Sequence, residues 1–244
     1  MFGEGDSATF KIAYAPSAGY RIKNEPNWID DLLNGFSGIG VRDENTANLV
    51  KEYSKLRPKL VIDPCLHLLS SKYASWFTNQ KRREFVTVYS PLLHRFVNAF
   101  HQNLGFGTLP NFVQNYKHLG YFPRKRFLQD LSKQFTDPLW TVQQIARSNL
   151  LITSTFHGVM MALMTKTPFI AVTSPNLSAR LQSPIAETFS DKRLMTMDEI
   201  NNLSNEGLKA FLADDDIDQI MPKEYISSSD VWMKKALSKL SDQY

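Results

Sequence analysis

The sequence predicts an α/β fold built on Rossmann-like parallel sheets. Short β-rich runs alternate along the chain with helical stretches of about ten residues, which is typical of βαβ units. The 244 residues allow one large domain or two modest ones. Hydrophobic residues make up 43% of the chain, close to the globular average, so a packed core can form. This composition excludes a chain that is disordered throughout.

The first group of predicted elements covers residues 10–64. Strands are predicted at residues 10–15, 38–41 and 60–62. The turn residues 16–19 close the first strand, and Asp63-Pro64 ends the third. Helices are predicted at 28–36, with Asn27 as the N-cap, and at 44–54, with Asp43 as the N-cap.

The alternation restarts after a polar and charged stretch at residues 70–84. Further strands are predicted at 85–89, 149–153 and 168–172, and further helices at 92–104, 124–135, 138–147, 158–164, 197–212 and 230–241. Pro138 suits a first helical turn behind Asp137. We therefore expect two Rossmann-like lobes, a partial one at residues 1–76 and a second at 77–244. Since three strands are few for a free-standing sheet, either the first lobe is incomplete or both groups share one sheet.

Cysteine usage and hydropathy exclude several classes of protein. Cys65 is the single cysteine, so the chain has no internal disulfide and no cysteine-based zinc site. Residues 1–10 lack the pattern of a signal peptide, and no apolar run approaches the ~18 residues of a spanning helix. We therefore expect a cytoplasmic protein. Four histidines show no metal-ligand spacing and are interpreted as packing or surface residues: His67, His94, His101 and His118.

The net charge of +4 is unevenly distributed. Residues 77–126 carry eight Lys or Arg against one acid, Glu84. This stretch either lies beside an anionic ligand or forms a solvated face, which is the commoner case. Aromatic residues among the basic ones also occur in proteins that bind single-stranded nucleic acid, but here they recur with Leu and Val as core residues do. We therefore expect no nucleic-acid partner.

Residues 149–172 are the most informative stretch. An apolar strand ends in residues 153–158, Thr-Ser-Thr-Phe-His-Gly, and an apolar helix follows at once. Ligands of open α/β sheets bind outside the carboxyl ends of the strands, and a helix N-terminus there suits a phosphate or carboxylate. Gly158 would let the backbone approach such a ligand, and His157 could exchange a proton near neutral pH. Alternatively, Ser154 or Thr155 caps the helix and His157 only packs.

Several stretches in the same order resemble the polysaccharide pyruvyl transferase family. In that family a strand ends in Ser-Phe-His-Gly or Arg-Leu-His before an apolar helix, as at residues 154–158. Residues 14–19 resemble its Tyr-Ala-x-Ser-x-Gly strand end, and residues 40–43 its strand–Arg–acid–helix element. Residues 63–66 resemble its Asp-Pro-Thr-Leu segment, with Cys65 in the Thr place. Residues 137–138 and 176–180 also fit, so the resemblance spans residues 10–185.

The resemblance implies a glycosyltransferase-B-like fold and a transferase activity. Family members move an enolpyruvyl unit from phosphoenolpyruvate onto sugar hydroxyls of a cell-surface glycan or its lipid-linked precursor, forming a pyruvate ketal. The implied partners are phosphoenolpyruvate and a glycan acceptor, with peripheral contact to a lipid-linked glycan and no cofactor or metal beyond the donor. The family also has a longer N-terminal segment with a first strand and a glycine- and asparagine-rich loop, so we expect the first lobe here to be incomplete.

The resemblance also implies roles for individual residues. His157 is the implied catalytic residue, and it would protonate the departing phosphate or the methylene carbon, or deprotonate a sugar hydroxyl. The implied substrate-binding residues are Arg42, Arg180, Ser17, Ser154, Thr155 and Gly158. An arginine can bind the donor phosphate or carboxylate bidentately. Where some members have Arg two residues before the histidine, this chain has Thr155, so hydroxyl and backbone N–H groups must replace that cation.

Alternatives remain at the levels of residue and function. Arg42 could be an exposed residue paired with Asp43 or Glu44, and Asp63 could be only a turn residue before Pro64. The fold would also suit a glycosyltransferase that uses a nucleotide sugar. A third possibility is a catalytically inactive remnant that binds a glycan or another protein. The sequence leaves the oligomeric state open.

Overall fold

A computed structural model gives the fold of the chain. It describes residues 10–18, 28–68, 75, 77, 83–89, 139–173, 193–204, 206, 207, 212 and 223–241. These residues form two sheets in which every strand pair is parallel, with helices between the strands. The predicted α/β fold class is therefore confirmed.

The strands and helices are numbered in chain order. The strands are β1 (Ile12–Tyr14), β2 (Gly38–Val41), β3 (Lys59–Leu60), β4 (Arg83–Tyr89), β5 (Ser148–Thr153), β6 (Phe169–Val172) and β7 (Leu194–Met195). The helices are α1 (Ile29–Asn34), α2 (Glu44–Tyr53), α3 (Pro64–His67), α4 (Trp140–Arg147), α5 (Phe156–Thr165), α6 (Met197–Asn201) and α7 (Lys223–Ser241). None of these helices is long and apolar enough to cross a membrane.

The chain divides into two compact units. Among the described residues, the first unit contains 10–67 and 223–241, and the second contains 68–173 and 193–212, with the gaps given above. Helix α7 therefore groups with the first sheet although it lies at the far end of the chain. The division into domains at 1–76 and 77–244 stays a prediction.

The sheet of the first unit has the order β1-β2-β3. Tyr14 at the end of β1 pairs with Gly40 of β2, and the N–H of Val61 donates to Val41 O just beyond β3. One face of β2 presents Ile39 and Val41 to helices α1 and α2. The buried cluster on this face is Leu33, Ile39, Val41, Ala47 and Val50. Side chains alternate along a strand, so Gly38 and Gly40 lie on the opposite face.

The glycine face of β2 accommodates Trp232 of α7. A Cβ atom added to Gly40 would lie 2.9 Å from the Trp232 ring and 3.0 Å from Val61 Cγ1. A Cβ atom at Gly38 would lie 3.6 Å from the same ring, which is ordinary van der Waals contact. The missing side chain at position 40 thus allows the indole of α7 to lie close against the sheet. The first unit is accordingly a sheet with helices on both faces.

The sheet of the second unit has the order β4-β5-β6-β7. β5 and β6 are almost wholly buried, as near-continuous apolar strands of parallel sheets are when helices cover both faces. Helix α5 is also buried along most of its length and ends at Lys166, which has a left-handed φ of 55°. A core cluster joins the strands to α6: Val88, Leu150, Ile152, Ile170, Val172 and Ile200.

The described strands form two sheets, so the alternative of one sheet shared by both groups does not hold among the described residues. β2 has the predicted bounds, and Asp43 caps α2 as predicted, by accepting from the N–H of Thr46 at 2.8 Å. Helix α1 has Trp28 at its N-cap position, with no side-chain cap hydrogen bond, and the predicted cap Asn27 lies outside the described residues. The short elements β7 and α3 were not predicted, because two to four residues are too few to show a period.

Other bounds moved by a few residues. Helix α4 begins at Trp140 with Leu139 at its N-cap position, and α5 begins at Phe156, two residues before the predicted start at Gly158. The predicted helices at 92–104 and 124–135, and the predicted start at Asp137-Pro138, lie outside the described residues. In the tail, α6 is much shorter than the helix predicted at 197–212, and α7 begins earlier than predicted.

Candidate functional site

The carboxyl edge of the second sheet carries a network of threonine hydroxyls. Thr153, the last residue of β5, donates its hydroxyl proton to Tyr89 O at the end of β4, at 2.6 Å. The same Thr153 oxygen accepts from the N–H of Thr155 at 3.1 Å. Thr155 in turn caps α5 by accepting from the N–H of Gly158 at 3.1 Å. These bonds fix the start of α5 against the ends of two parallel strands.

His157 lies in the first turn of α5 and is exposed. Its ring contacts Phe156 edge-on, with 5.9 Å between the ring centroids, while Phe156 itself is buried. Of the two caps that the sequence offered, Ser154 and Thr155, the structure has Thr155, and the exposed His157 does not pack in the core. The first N–H groups of a helix lack partners within the helix and carry partial positive charge. An anion at this position would lie beside an accessible imidazole.

Gly158 has a structural role that the sequence did not indicate. A Cβ atom at this position would lie 2.1 Å from Thr153 Oγ1 and 2.9 Å from Thr155 Oγ1. The missing side chain is therefore required for α5 to begin directly over the end of β5. Close approach of a ligand to the Gly158 backbone stays a prediction. Ser154 is partly exposed in the same turn.

The carboxyl edge of the first sheet carries an ion pair between Arg42 and Asp63. Arg42 follows β2, and its Nη1 donates to Asp63 Oδ2 at 2.6 Å. The Asp63 side chain is 2% exposed and that of Arg42 is 16% exposed. The other carboxylate oxygen of Asp63 accepts from the N–H of Cys65 at 3.0 Å. Asp63 is thus more than a turn residue, and it, rather than Asp43 or Glu44, is the ion-pair partner of Arg42.

The loop that follows β1 is tied to the start of α2. The N–H of Ala18 donates to Thr46 Oγ1 at 2.8 Å, and Thr46 Oγ1 donates to the buried Asp43 at 2.7 Å. Ala15, with a φ of 55°, turns the chain out of the strand. Within the described part of the chain, the buried Ser17 hydroxyl has no hydrogen-bond partner. Ser17 therefore has an unsatisfied donor and acceptor at this position.

Burial and charge keep the Cys65 thiol protonated. Desolvation raises the pKa of Cys65 to about 11, and the nearby Asp63 carboxylate adds to the increase while Arg42 opposes it. A thiol with so high a pKa holds almost no thiolate at neutral pH. Cys65 is therefore not a candidate nucleophile. Within the segment 63–66 that resembles the family, it is a half-buried packing residue.

A second polar cluster in the first unit joins Tyr14, His67 and Asp230. The Tyr14 hydroxyl is hydrogen-bonded to His67 Nε2, and His67 Nδ1 lies 3.0 Å from Asp230 Oδ1. Desolvation raises the pKa of Tyr14 to about 12. The Asp230 carboxylate raises it further, whereas a hydrogen bond with Ser229 lowers it. The interpretation of His67 as a packing or surface residue missed this cluster, because its carboxylate lies on α7, far along the chain.

The predicted site residues fall into two groups, which belong to different units. Arg42 and Ser17 lie at the carboxyl edge of the first sheet, whereas the residues at the carboxyl edge of the second are Ser154, Thr155, His157 and Gly158. Arg180 lies outside the described residues. Within the described ranges, no group of three or more His, Cys, Asp or Glu side chains could hold a metal ion.

Comparison with known proteins places the chain in a family. The sequence model of the family "Polysaccharide pyruvyl transferase" matches residues 9–176. No curated protein matches the chain. Among solved structures, the chain is similar to apo UGT2 of Phytolacca americana, at 11% identity and a TM-score of 0.37. That alignment covers 87% of this chain and 56% of that structure, so the chain spans little more than half its length. Because the family match covers more than half of the 244 residues, the chain belongs to the polysaccharide pyruvyl transferase family.

Proposed function

We propose that the protein transfers a pyruvyl group from phosphoenolpyruvate to two hydroxyls of a sugar in a cell-surface glycan, with His157 as the catalytic acid–base residue. The observation that carries this proposal is the exposed imidazole of His157 in the first turn of α5, at the carboxyl end of β5. Family membership supports the general activity. The donor, the acceptor and the residue roles are the proposal.

The charge distribution of the donor suits the start of α5. Phosphoenolpyruvate carries a phosphate and a carboxylate, and the N-terminus of a helix stabilises such anions through its N–H groups and dipole. The threonine network holds this turn in place before a ligand arrives, so little free energy is lost in ordering it. A phosphate bound there would lie within reach of the His157 ring, which can supply the proton that the leaving group needs.

The proton balance explains why an acid–base residue is needed. Formation of the ketal joins both sugar oxygens to C2 of the donor, and each hydroxyl loses its proton. One proton is added to the methylene carbon, which becomes a methyl group, and the other leaves with the phosphate. No redox step occurs, so the reaction needs no electron carrier. In this proposal His157 protonates the departing phosphate.

The first sheet offers a second set of groups for an anionic or hydroxylated ligand. Asp63 holds the Arg42 guanidinium in one orientation, which suits bidentate binding of a carboxylate or phosphate. The same ion pair offsets part of the Arg42 charge, so Arg42 would orient a ligand more than attract it from solution. Ser17, whose buried hydroxyl has no partner among the described residues, lies in the neighbouring loop.

Phosphate release tests the proposed function. The protein is incubated with phosphoenolpyruvate and a panel of bacterial and fungal surface glycans, and phosphate release is measured together with the mass of the glycan. We expect phosphate release that depends on the glycan and an acceptor carrying one pyruvate ketal for each phosphate. The proposal would be contradicted if calorimetry detected no binding of phosphoenolpyruvate and no glycan led to release of its phosphate.

A further inference from the structure

The single Asn-Gly pair of the sequence, Asn34-Gly35, lies at the end of α1. Asn34 is the last residue of the helix, Gly35 is at its C-cap position, and both are exposed. The backbone nitrogen that follows an asparagine can attack the side-chain carbonyl carbon, and a glycine hinders this attack least because it has no Cβ atom. The pair is therefore a candidate for spontaneous modification, and its surroundings decide when the reaction takes place.

The side-chain amide of Asn34 joins the end of α1 to the end of α2. Its Oδ1 accepts from the Ser54 hydroxyl at 3.0 Å and from the N–H of Lys55 at 3.2 Å. Ser54 is at the C-cap position of α2, and its hydroxyl oxygen accepts from the N–H of Leu56 at 3.1 Å. Two donors from one short segment, residues 54–56, thus hold the amide that would react.

The Gly35 nitrogen is also held. Its N–H donates to Asp31 O and to Leu32 O, at 3.2 Å each. To attack, this nitrogen must leave both carbonyls and lose its proton, and Asn34 must leave its helical conformation. Both reacting groups are therefore protected while the end of α1 is closed. Exposed ends of helices open locally at a much lower free energy than the core, so the reaction proceeds from the open state.

We propose that Asn34 is a site of spontaneous deamidation and that local opening of the end of α1 sets its rate. The electron pair of the deprotonated Gly35 nitrogen attacks Asn34 Cγ. The bond from Cγ to the side-chain nitrogen breaks, and this nitrogen leaves as ammonia with the proton that Gly35 lost. One water then opens the cyclic imide to aspartate or to isoaspartate. No redox step occurs, and the proposal does not depend on the transferase activity.

The two products have different effects on the junction of α1 and α2. In aspartate the backbone is unchanged, so a carboxylate oxygen still accepts from Ser54 and Lys55, although a negative charge is unfavourable at a helix C-terminus. In isoaspartate the main chain gains one carbon and the carboxylate is attached directly to Cα. The shortened side chain no longer reaches both donors, so isoaspartate releases the end of α1 from residues 54–56.

Mass spectrometry of the peptide that contains residue 34 tests the proposal in the full-length protein at mildly alkaline pH. Conversion should be slower by about tenfold or more in the folded protein than in urea, because a closed helix end protects both groups. Gly35→Ala should slow the conversion in urea, because its methyl group hinders the attacking nitrogen. Equal rates in the folded protein and in urea, or no conversion in urea, would overturn the proposal.

Ser54→Ala tests the role of the amide bonds. The variant removes one of the two donors to Asn34 Oδ1, so conversion in the folded protein should be about 2–10-fold faster, the effect of one hydrogen bond on the opening equilibrium. The rate in urea should not change. Ser37→Ala, a change of an exposed serine just beyond α1, is the matched control. A folded Ser54→Ala protein that converts no faster than Ser37→Ala would overturn the assignment.

Hydrogen exchange of the aged protein tests the effect of the product. The form that contains isoaspartate at position 34 should show faster exchange in peptides that cover residues 54–56 than the unmodified form does. Peptides that contain β5 and β6 should exchange as before, because they belong to the other unit. Unchanged exchange at residues 54–56 in the isoaspartate form would show that the Asn34 amide does not hold this segment.

Discussion

At the scale of single residues, the structure places side chains that the sequence singled out at the ends of β2 and β5. Arg42 follows one strand and His157 follows the other, because a strand, a polar turn and a helix start can be recognised locally. The ion pair of Arg42 with Asp63 was not predictable, because the pairing of β2 with β3 brings the two residues together. His67 and Asp230 are even further apart along the sequence, so their contact could not be recognised from a local pattern.

The reactivity of Cys65 is the first prediction at this scale. Alkylation by iodoacetamide measures the reactivity of this thiol alone, because the chain has a single cysteine. Short pulses over a range of pH should give a half-maximal rate near pH 11 in the folded protein, against the ordinary thiol value of 9.0 in urea. A folded protein that reacts half-maximally near the ordinary value would show that the thiol is not desolvated.

The same shift has a defined effect on stability. The folded thiol holds its proton to higher pH than the unfolded thiol, so the folded state binds more protons between the two pKa values. The contribution of Cys65 to the free energy of unfolding is therefore constant below the unfolded pKa and falls as the pH rises toward about 11. In urea titrations, the free energy of unfolding of Cys65→Ser should fall less than that of the wild type as the pH rises from 9.0 to about 11.

At the scale of elements, the sequence predicted well the segments that have an apolar run bounded by turn residues or caps, and poorly those without such signals. β2, β5 and α5 lie within a few residues of their predicted positions, since apolar runs with turn residues and caps define them. The two-residue strand β7 shows no pattern of its own and is held by pairing with β6. The glycines of β2 contain a signal that the interpretation did not use, since they mark a face open to a large side chain.

Alanine substitutions in β2 test the packing of α7 against the sheet. Gly40→Ala places a Cβ atom 2.9 Å from Trp232 and 3.0 Å from Val61, so overpacking should lower the free energy of unfolding by about 1–3 kcal/mol. Gly38→Ala is the matched control, because its Cβ atom would lie 3.6 Å from the same ring. Urea denaturation measures both variants. Equal stability of the two would contradict the described position of the indole.

At the scale of the whole molecule, local patterns did not show where α7 belongs. The sequence predicted a helix in this region, and the structure groups it with the first unit rather than with the residues that precede it. Contacts that attach it include those of the Trp232 ring, the bond from Ile62 N–H to Ser229 and the contact of Asp230 with His67. These contacts join residues that are far apart in sequence, so they follow from tertiary packing rather than from propensity.

Truncation of Trp232 tests this grouping. Trp232→Ala should lower the stability of the first unit by about 1–3 kcal/mol, less than the ~3–5 kcal/mol of a fully buried Trp, because the side chain is partly exposed. Hydrogen exchange read by mass spectrometry should show faster exchange in peptides that contain β1 and β2. Peptides that contain β5 and β6 should keep their protection. An equal loss in both groups would contradict the division into two units.

The most direct test of the account is the kinetics of His157→Gln. Because His157 is exposed, the variant should keep the urea midpoint of the wild type. Its kcat for ketal formation from phosphoenolpyruvate should fall by about 10²–10⁴-fold with little change in the donor KM. Lys51→Ala, an exposed change on α2, should keep the wild-type rate. A His157→Gln protein that is folded and turns over at the wild-type rate would contradict the account.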